Sequence, residues 1–190
     1  AKEIDALGGV MATAADQAGI HFKKLNSSKG RAVQATRAQA DRALYRNAVQ
    51  KSLLNQPNLT VVGGMVSKLL LEGETIKGVV TESGNTQLAR CVVLTVGTFL
   101  NGKIHVGKEQ LDGGRIGDRP SIRLADQLRE IAPRAGRLKT GTPPRILKNS
   151  INFDALDEQP GDIPRPVFSF IGNRKQHPKQ VSCHLAYTNQ

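Results

Sequence analysis

The run CVVLTV at residues 91–96 constrains the fold of this 190-residue chain more than any other stretch. It is a continuous series of apolar and β-branched residues that ends at Gly97. Runs of this kind are typical of parallel strands that are covered on both faces, and ligands bind at the carboxyl ends of such strands. The run predicts a buried strand with Cys91 in the core and with Gly97 and Thr98 facing a ligand. For Gly97 taken by itself, an ordinary tight turn is the commoner explanation.

Three helices are predicted around this run. Residues 2–19 predict a helix that is broken at its Gly-Gly pair. Residues 36–55 predict the clearest helix, opened by a capping box of Thr36 and Gln39. A third helix follows Ser121, which is a favourable N-cap residue. A helix that feeds a parallel strand suggests the later half of a dinucleotide-binding sheet.

Alternating and β-branched segments predict the strands. Polar turns at 72–74 and 83–85 separate three of them and indicate a β-meander. The predicted strands are 59–62, 66–73, 75–84, 86–98, 167–170 and 181–188.

The excess of positive charge lies in two blocks, residues 1–58 and 101–150. The net charge is +11, and residues 131–148 carry five cations and no acidic residue. Within this block, GRLKTGTPPRI at 136–146 contains Pro143 and Pro144, which exclude a helix interior or a central strand. Such a surface attracts a polyanion such as RNA or a phosphorylated cofactor, but a basic surface without a partner explains the charge equally well.

Three glycines lie within residues 112–117, just before the predicted helix at Ser121. A glycine-rich loop that runs into a helix N-terminus can bind an anion. A surface turn in front of a capped helix is the commoner alternative. The loop matches neither the P-loop nor the GxGxxG pattern.

The remaining features exclude several classes. No apolar run reaches the roughly 20 residues that cross a bilayer. Cys91 and Cys183 are far apart and form no metal-ligand pattern, and none of the four histidines has a ligand partner at suitable spacing. We therefore expect a cytoplasmic protein without a metal.

Several stretches, in order along the chain, resemble consecutive blocks of the GidA/MnmG family of tRNA-modifying flavoproteins. These stretches are KEIDALGG, DQAGI, LNSSKG, ATRAQADRALYR, VVLTVGTFLNGKIHVG, GGRIGDRPS and GRLKTGTPPRI. The resemblance covers nearly the whole chain. Family proteins are longer at both ends, so the resemblance implies an internal fragment.

The resemblance implies an α/β fold. Residues 1–146 would form part of a glutathione-reductase-like, Rossmann-type FAD-binding domain that lacks its N-terminal GxGxxG unit. Within it, residues 59–90 would form the β-strand and meander region. Residues 147–190 would begin an inserted β-rich domain. Without the GxGxxG unit, we expect this chain alone to bind FAD poorly.

The resemblance also implies the activity. Together with an MnmE-type GTPase partner, the family enzyme adds a carboxymethylaminomethyl-type group to carbon 5 of the wobble uridine of tRNA. FAD is its redox cofactor, NADH its reductant and methylene-tetrahydrofolate its carbon donor. The full-length protein is expected to be a homodimer.

Site residues carry over at matching positions. The backbone of Val66 and the side chain of Ser121 correspond to FAD contacts, and Gly97 and Thr98 are weaker candidates near the flavin. The rigid basic loop would present three cations to tRNA or another anion: Arg137, Lys139 and Arg145.

No catalytic residue is assigned. Cys183 is a weak candidate, since it can be either an activated thiol or a small buried hydrophobic residue. Two other functions remain open. One is a folate- and FAD-dependent tRNA uridine C5-methyltransferase, and the other is a non-catalytic basic RNA-binding module.

Overall fold

The computed structural model describes residues 1–132, 134–143 and 145–188. In this part of the chain the helices are α1 (Lys2–Ala6), α2 (Met11–Ala18), α3 (Arg42–Leu54) and α4 (Ile122–Ile131). The strands are β1 (Gly19–Leu25), β2 (Ala35–Ala40), β3 (Val66–Glu72), β4 (Thr75–Thr81), β5 (Thr86–Leu88), β6 (Lys103–Val106), β7 (Glu109–Asp112), β8 (Asp157–Gln159) and β9 (Cys183–Leu185). One-turn 3-10 helices lie at Arg31–Val33, Gly97–Phe99, Lys148–Ser150, Phe153–Ala155 and Arg174–Gln176.

The chain divides into two compact units. The first consists of Ala1–Val61 and Pro143–Gln190, and the second of Val62–Thr142. This division is based on contacts between residues of the chain. The assignment of 1–146 to a cofactor domain and of 147–190 to an inserted domain stays a prediction.

The first unit is built around strand β1. Its antiparallel partner β2 lies on one edge. On the other edge, the Phe22 carbonyl accepts a hydrogen bond from the Asp162 N–H, and the Ile20 carbonyl accepts one from the Val181 N–H, both at 2.8 Å. Phe22 is fully buried. Strand β1 is therefore the centre of this unit, with the chain's C-terminal part bound along its second edge.

A buried carboxylate fixes another part of the same unit. Asp16 in helix α2 has no exposed surface, and it accepts hydrogen bonds from the N–H groups of Phe168 at 2.8 Å and Ser169 at 2.9 Å. The next N–H, that of Phe170, donates to Asp5 at 2.7 Å. Charge-assisted bonds of this kind are among the stronger hydrogen bonds in proteins. They hold residues 167–170 as a bend against the helices.

His177 completes this buried cluster. Its ring stacks on Phe22 with centroids 4.4 Å apart, and its Nε2 lies 3.4 Å from Asp16 Oδ1. The His177 side chain is wholly inaccessible to solvent. Burial lowers the pKa of His177, and the charge and hydrogen bonding of Asp16 oppose this, while the charges of Arg165 and Arg174 reinforce it. The balance favours the neutral imidazole.

The second unit contains the meander. Strands β3, β4 and β5 form an antiparallel sheet in that order, so β3 and β5 are its edges. Helix α4 packs on β3 and buries Leu124 and Ala125. Strands β6 and β7 form a separate antiparallel hairpin.

Several sequence predictions are confirmed. The first helix is broken at the Gly-Gly pair and continues as α2, which ends at Gly19. The meander follows the predicted order, and α4 begins directly after Ser121.

The helix predicted over 36–55 begins too early. Residues 35–40 form strand β2 instead, because they pair with β1, so Thr36 and Gln39 form no capping box. Helix α3 starts at Arg42, and Asp41 Oδ1 caps it by accepting from two backbone N–H groups at 2.9 Å. A carboxylate at the N-cap satisfies backbone donors that would otherwise lack partners.

The predicted buried strand at 91–96 is wrong for this structure. Its residues are alternately exposed and half-buried, Val93 is 85% exposed, and Cys91 is exposed rather than in the core. A parallel strand needs a neighbour to pair with. In the described residues all strand pairs are antiparallel, and none includes 91–96.

Other strand predictions also fail. Residues 59–62 form no strand, and strand β9 covers only Cys183–Leu185 of the predicted 181–188. Residues 167–170 are not a strand because carboxylates, rather than a neighbouring strand, accept the backbone N–H groups of 168–170. The hairpin pairs β1–β2 and β6–β7 were not predicted.

No helix among the described residues is long and apolar enough to span a membrane.

The buried imidazole predicts a pH dependence of stability. The folded-state pKa of His177 lies below its ordinary 6.5. Between these two pKa values the unfolded chain binds a proton that the folded chain does not, so stability falls as the pH decreases below about 6.5. We expect the apparent Tm, followed by circular dichroism, to decrease from pH 7 to pH 5.5.

A matched pair of variants tests the assignment of this pH dependence. His177→Phe keeps an aromatic ring on Phe22 but removes the titration, so the decrease should become shallower. His105→Phe, at an exposed position, should leave it unchanged. Equal slopes in the wild type and His177→Phe would contradict the assignment.

Candidate functional site

Two of the predicted cofactor residues lie in direct contact. Val66 begins strand β3, Ser121 precedes helix α4, and the Ser121 hydroxyl donates to the Val66 carbonyl at 3.3 Å. Both residues are half-buried. Ser121 holds the N-cap position, but its side-chain oxygen accepts no capping hydrogen bond from the helix backbone. The structure thus brings together two positions that are 55 residues apart in the sequence.

The loop after residue 96 joins the same contact. Its backbone runs beside Ser121, whose N–H donates to the Phe99 carbonyl at 2.8 Å. The Ser121 carbonyl in turn accepts from the Asn101 N–H at 3.1 Å, and Leu100 and Ser121 form an isolated parallel bridge. Gly97 and Thr98 are exposed in the 3-10 turn Gly97–Phe99 that opens this loop. Of the four predicted cofactor residues, Val66 and Ser121 are therefore in direct contact, and Gly97 and Thr98 come just before the residues 99–101 that bond to Ser121.

Glycines allow this loop to pack closely against another part of the backbone. Thr98 Oγ1 donates to the Gly114 carbonyl at 3.3 Å. A Cβ placed on Gly102 would lie 2.4 Å from the Thr98 oxygen and 2.7 Å from the Gly113 oxygen. The close backbone approach that these glycines allow is therefore made to residues 98–102 of this chain.

The arginines of that loop face carboxylates. Arg115 Nη2 lies 2.5 Å from Asp118 Oδ2, and Arg119 Nη1 lies 3.8 Å from Glu82 Oε2. Both contacts are exposed and contribute little to stability. They nevertheless offset positive charge in front of helix α4, which weakens the case for an anion site there.

The three cations of the basic loop belong to two different compact units. Arg137 Nη1 donates to the Asn101 carbonyl at 3.0 Å, which ties this loop to the edge that contains Ser121. Lys139 is exposed in the same unit. Arg145 is also exposed but belongs to the other compact unit, and Pro144 lies outside the described residues. Binding of tRNA or another anion by these residues stays a prediction.

The cysteines have different surroundings. Cys183 is half-buried in β9, and its sulfur accepts a hydrogen bond from Gln39 Nε2 at 3.3 Å. Cys91 is exposed. Among the described residues there is no cluster of three His, Cys, Asp or Glu side chains that could hold a metal ion.

Sequence reasoning missed Gln127. Its side-chain amide makes two hydrogen bonds to the backbone of Leu69. Gln127 lies three positions after the buried Leu124 and so shares its helix face, which was the available signal. The strand at 66–73 was predicted, but its contact with Gln127 was not.

Comparisons with known proteins agree with this architecture. The sequence model of the family described as glucose inhibited division protein A (GidA) matches residues 1–190. Structures of Aquifex aeolicus GidA in crystal forms I and II each match with a TM-score of 0.84 and 43% sequence identity, over 96% of this chain. The chain belongs to the GidA family, and the match confirms the predicted α/β fold class. This chain spans 31% of the length of the Aquifex chain.

The close backbone packing at residue 102 gives a stability prediction. Gly102→Ala should destabilise the protein by about 1–3 kcal/mol, because its Cβ would meet two backbone oxygens that cannot rotate away. Gly136→Ala is the matched control, since a Cβ there meets nothing within 4 Å. Its effect should stay within about 1 kcal/mol and can be stabilising. Denaturant unfolding measures both, and equal effects would contradict the packing.

Proposed function

We propose that the intact protein is an FAD-dependent tRNA-modifying enzyme and that this chain forms part of its cofactor-binding domain. Membership of the GidA family supports the class of activity. The observation that carries the cofactor assignment is the contact between Val66 and Ser121, whose backbone also holds the loop that follows Gly97 and Thr98. All four residues were predicted from the sequence, Val66 and Ser121 as FAD contacts and Gly97 and Thr98 as weaker candidates.

The chemistry of this edge suits a dinucleotide. Strand β3 is an edge of its sheet. Apart from the Leu69 N–H and carbonyl, which Gln127 binds, this edge can present backbone N–H and C=O groups to an adenine or ribose without a specific side chain. Gly97 has a φ of 60° and no Cβ, and the exposed Thr98 adds a hydroxyl. Val66, Ser121, Gly97 and Thr98 would hold FAD, which would supply the redox chemistry. The residues of this chain would bind and orient the cofactor.

The surface of the chain supports a cofactor domain that is completed by further polypeptide. Its accessible surface is 15421 Å², whereas a compact monomer of 20.5 kDa exposes about 8,900 Å². Even two separate compact domains of half that mass would expose only about 11,000 Å². We propose that the exposed run 91–96 gains its strand neighbours in the full-length protein, with Gly97 then at the ligand end of the completed sheet.

The basic block provides the proposed tRNA surface. Arg137 and Lys139 are exposed, and Arg137 is held beside the cofactor edge through the Asn101 carbonyl. Contacts between cations and phosphates position a nucleic acid without reading its sequence. Arg145 is also exposed and is proposed as a further phosphate contact.

The finer activity follows from the family resemblance. We propose addition of a carboxymethylaminomethyl-type group to carbon 5 of the wobble uridine, with NADH as reductant and methylene-tetrahydrofolate as carbon donor. The protein would work as a homodimer with an MnmE-type GTPase. Cys183 is half-buried and bonded to Gln39, so we assign it no catalytic step.

The cofactor assignment predicts the effect of one hydroxyl. Ser121→Ala in the intact protein should raise the FAD dissociation constant about 3- to 10-fold, as expected for the loss of a single hydrogen bond near the ligand. Titration of the apoprotein, followed by flavin fluorescence, measures it. Ser150→Ala, whose hydroxyl bonds the Leu147 carbonyl in the other unit, is the matched control and should bind FAD like the wild type.

The tRNA assignment predicts a change in salt dependence. Replacing Arg137, Lys139 and Arg145 together by Ala should weaken tRNA binding and lower the slope of log K against log salt by roughly 1 for each phosphate that the protein no longer neutralises. The control removes the same charge from exposed positions of helix α3: Arg42, Arg46 and Lys51. If both triple variants reduce affinity and slope equally, the loop has no special role in tRNA binding.

A further inference from the structure

Helix α4 is held on the edge of strand β3 by a second contact, which no predicted cofactor residue makes. Gln127 Oε1 accepts from the Leu69 N–H at 2.6 Å, and Gln127 Nε2 donates to the Leu69 carbonyl at 3.0 Å. In an antiparallel pair, opposite residues exchange both hydrogen bonds in the same way. The amide of Gln127 therefore takes the place of a neighbouring strand at one residue of this edge.

The spacing of the two contacts is matched. Ser121 and Gln127 are six residues apart, which corresponds to about 9 Å along a helix axis. Their partners Val66 and Leu69 are three residues apart, about 10 Å along a strand. Helix and strand thus run side by side with one side-chain contact at each end of this span.

Gln127 is the stronger determinant of this alignment. Its two bonds are shorter than the 3.3 Å contact of Ser121 with Val66. Leu124 and Ala125, which lie between the two contacts, are buried apolar residues. Apolar burial is not directional and tolerates a small slide of the helix. Displacement of α4 by one helical turn would break both Gln127 bonds and separate Ser121 from Val66.

We propose that Gln127 is a positioning residue that sets the register of helix α4 on strand β3 and so holds Ser121 at Val66 for FAD binding. This inference rests on the proposed function. Gln127 acts through the backbone of Leu69 and need not touch the cofactor. Its removal should therefore weaken FAD binding only through the Ser121–Val66 contact.

The experiment compares five forms of the intact protein with the wild type. They are Gln127→Ala, Gln127→Glu, Ser121→Ala, the double variant Ser121→Ala/Gln127→Ala, and Glu130→Ala as a control at an exposed position of the same helix. Each apoprotein is titrated with FAD, its Tm is measured, and hydrogen exchange is followed in a peptide that covers β3. Gln127→Glu keeps the length of the side chain but replaces the donor to the Leu69 carbonyl by an oxygen.

Gln127→Ala and Gln127→Glu should each raise the FAD dissociation constant about 5- to 10-fold and speed exchange of the Leu69 amide, while Glu130→Ala stays within twofold. The double variant should bind only slightly less tightly than Ser121→Ala, because both changes disrupt one arrangement. A purely structural role would lower Tm but leave the FAD affinity of the folded protein unchanged.

Two outcomes overturn the proposal in distinguishable ways. If Ser121→Ala weakens FAD binding while both Gln127 variants bind normally, or if the effects in the double variant add fully, Gln127 is not a positioning residue and the cofactor assignment survives. If Ser121→Ala also binds FAD like the wild type, this edge is not the cofactor site and both proposals fail. Should Gln127→Ala not fold, the isosteric Gln127→Glu decides.

Discussion

The contact between helix α4 and the edge of strand β3 determines where the predicted cofactor residues of this chain lie. Two side chains of the helix bond to the strand backbone, Ser121 to Val66 and Gln127 to Leu69. The backbone around Ser121 then holds the loop of residues 98–102. A short set of polar contacts thus links the meander, helix α4 and the loop of residues 98–102, which are separate in the sequence.

The parts that sequence reasoning predicted correctly are those governed by local chemistry. The Gly-Gly break, the polar turns of the meander and the start of α4 after Ser121 all depend on residues within a few positions of each other. The site residues came from the family resemblance, and their convergence required the fold. Neither source indicated that the Ser121 hydroxyl would bond to Val66 instead of capping its own helix.

Two of the failures share one cause, which is that a distant partner decided the local structure. Residues 36–40 have good helical spacing but became a strand because β1 offers them a partner. Residues 167–170 have strand-like composition, yet the carboxylates of Asp16 and Asp5 accept their backbone donors. Propensity is a weak preference, and tertiary hydrogen bonds of this kind override it.

The run at 91–96 is the opposite case. Its composition is that of a strand, but none of the described strands pairs with it. Its alternating exposure shows that one face is partly covered and the other is not. A strand with this many β-branched residues, left with an open face and unpaired edges, is unfavourable in water and a risk for aggregation. The loop that follows it is nevertheless already fixed to Ser121. The loop after residue 96 is therefore organised by α4 rather than by a sheet, so the proposed cofactor contacts at Gly97 and Thr98 would depend on the same helix register as those proposed at Val66 and Ser121.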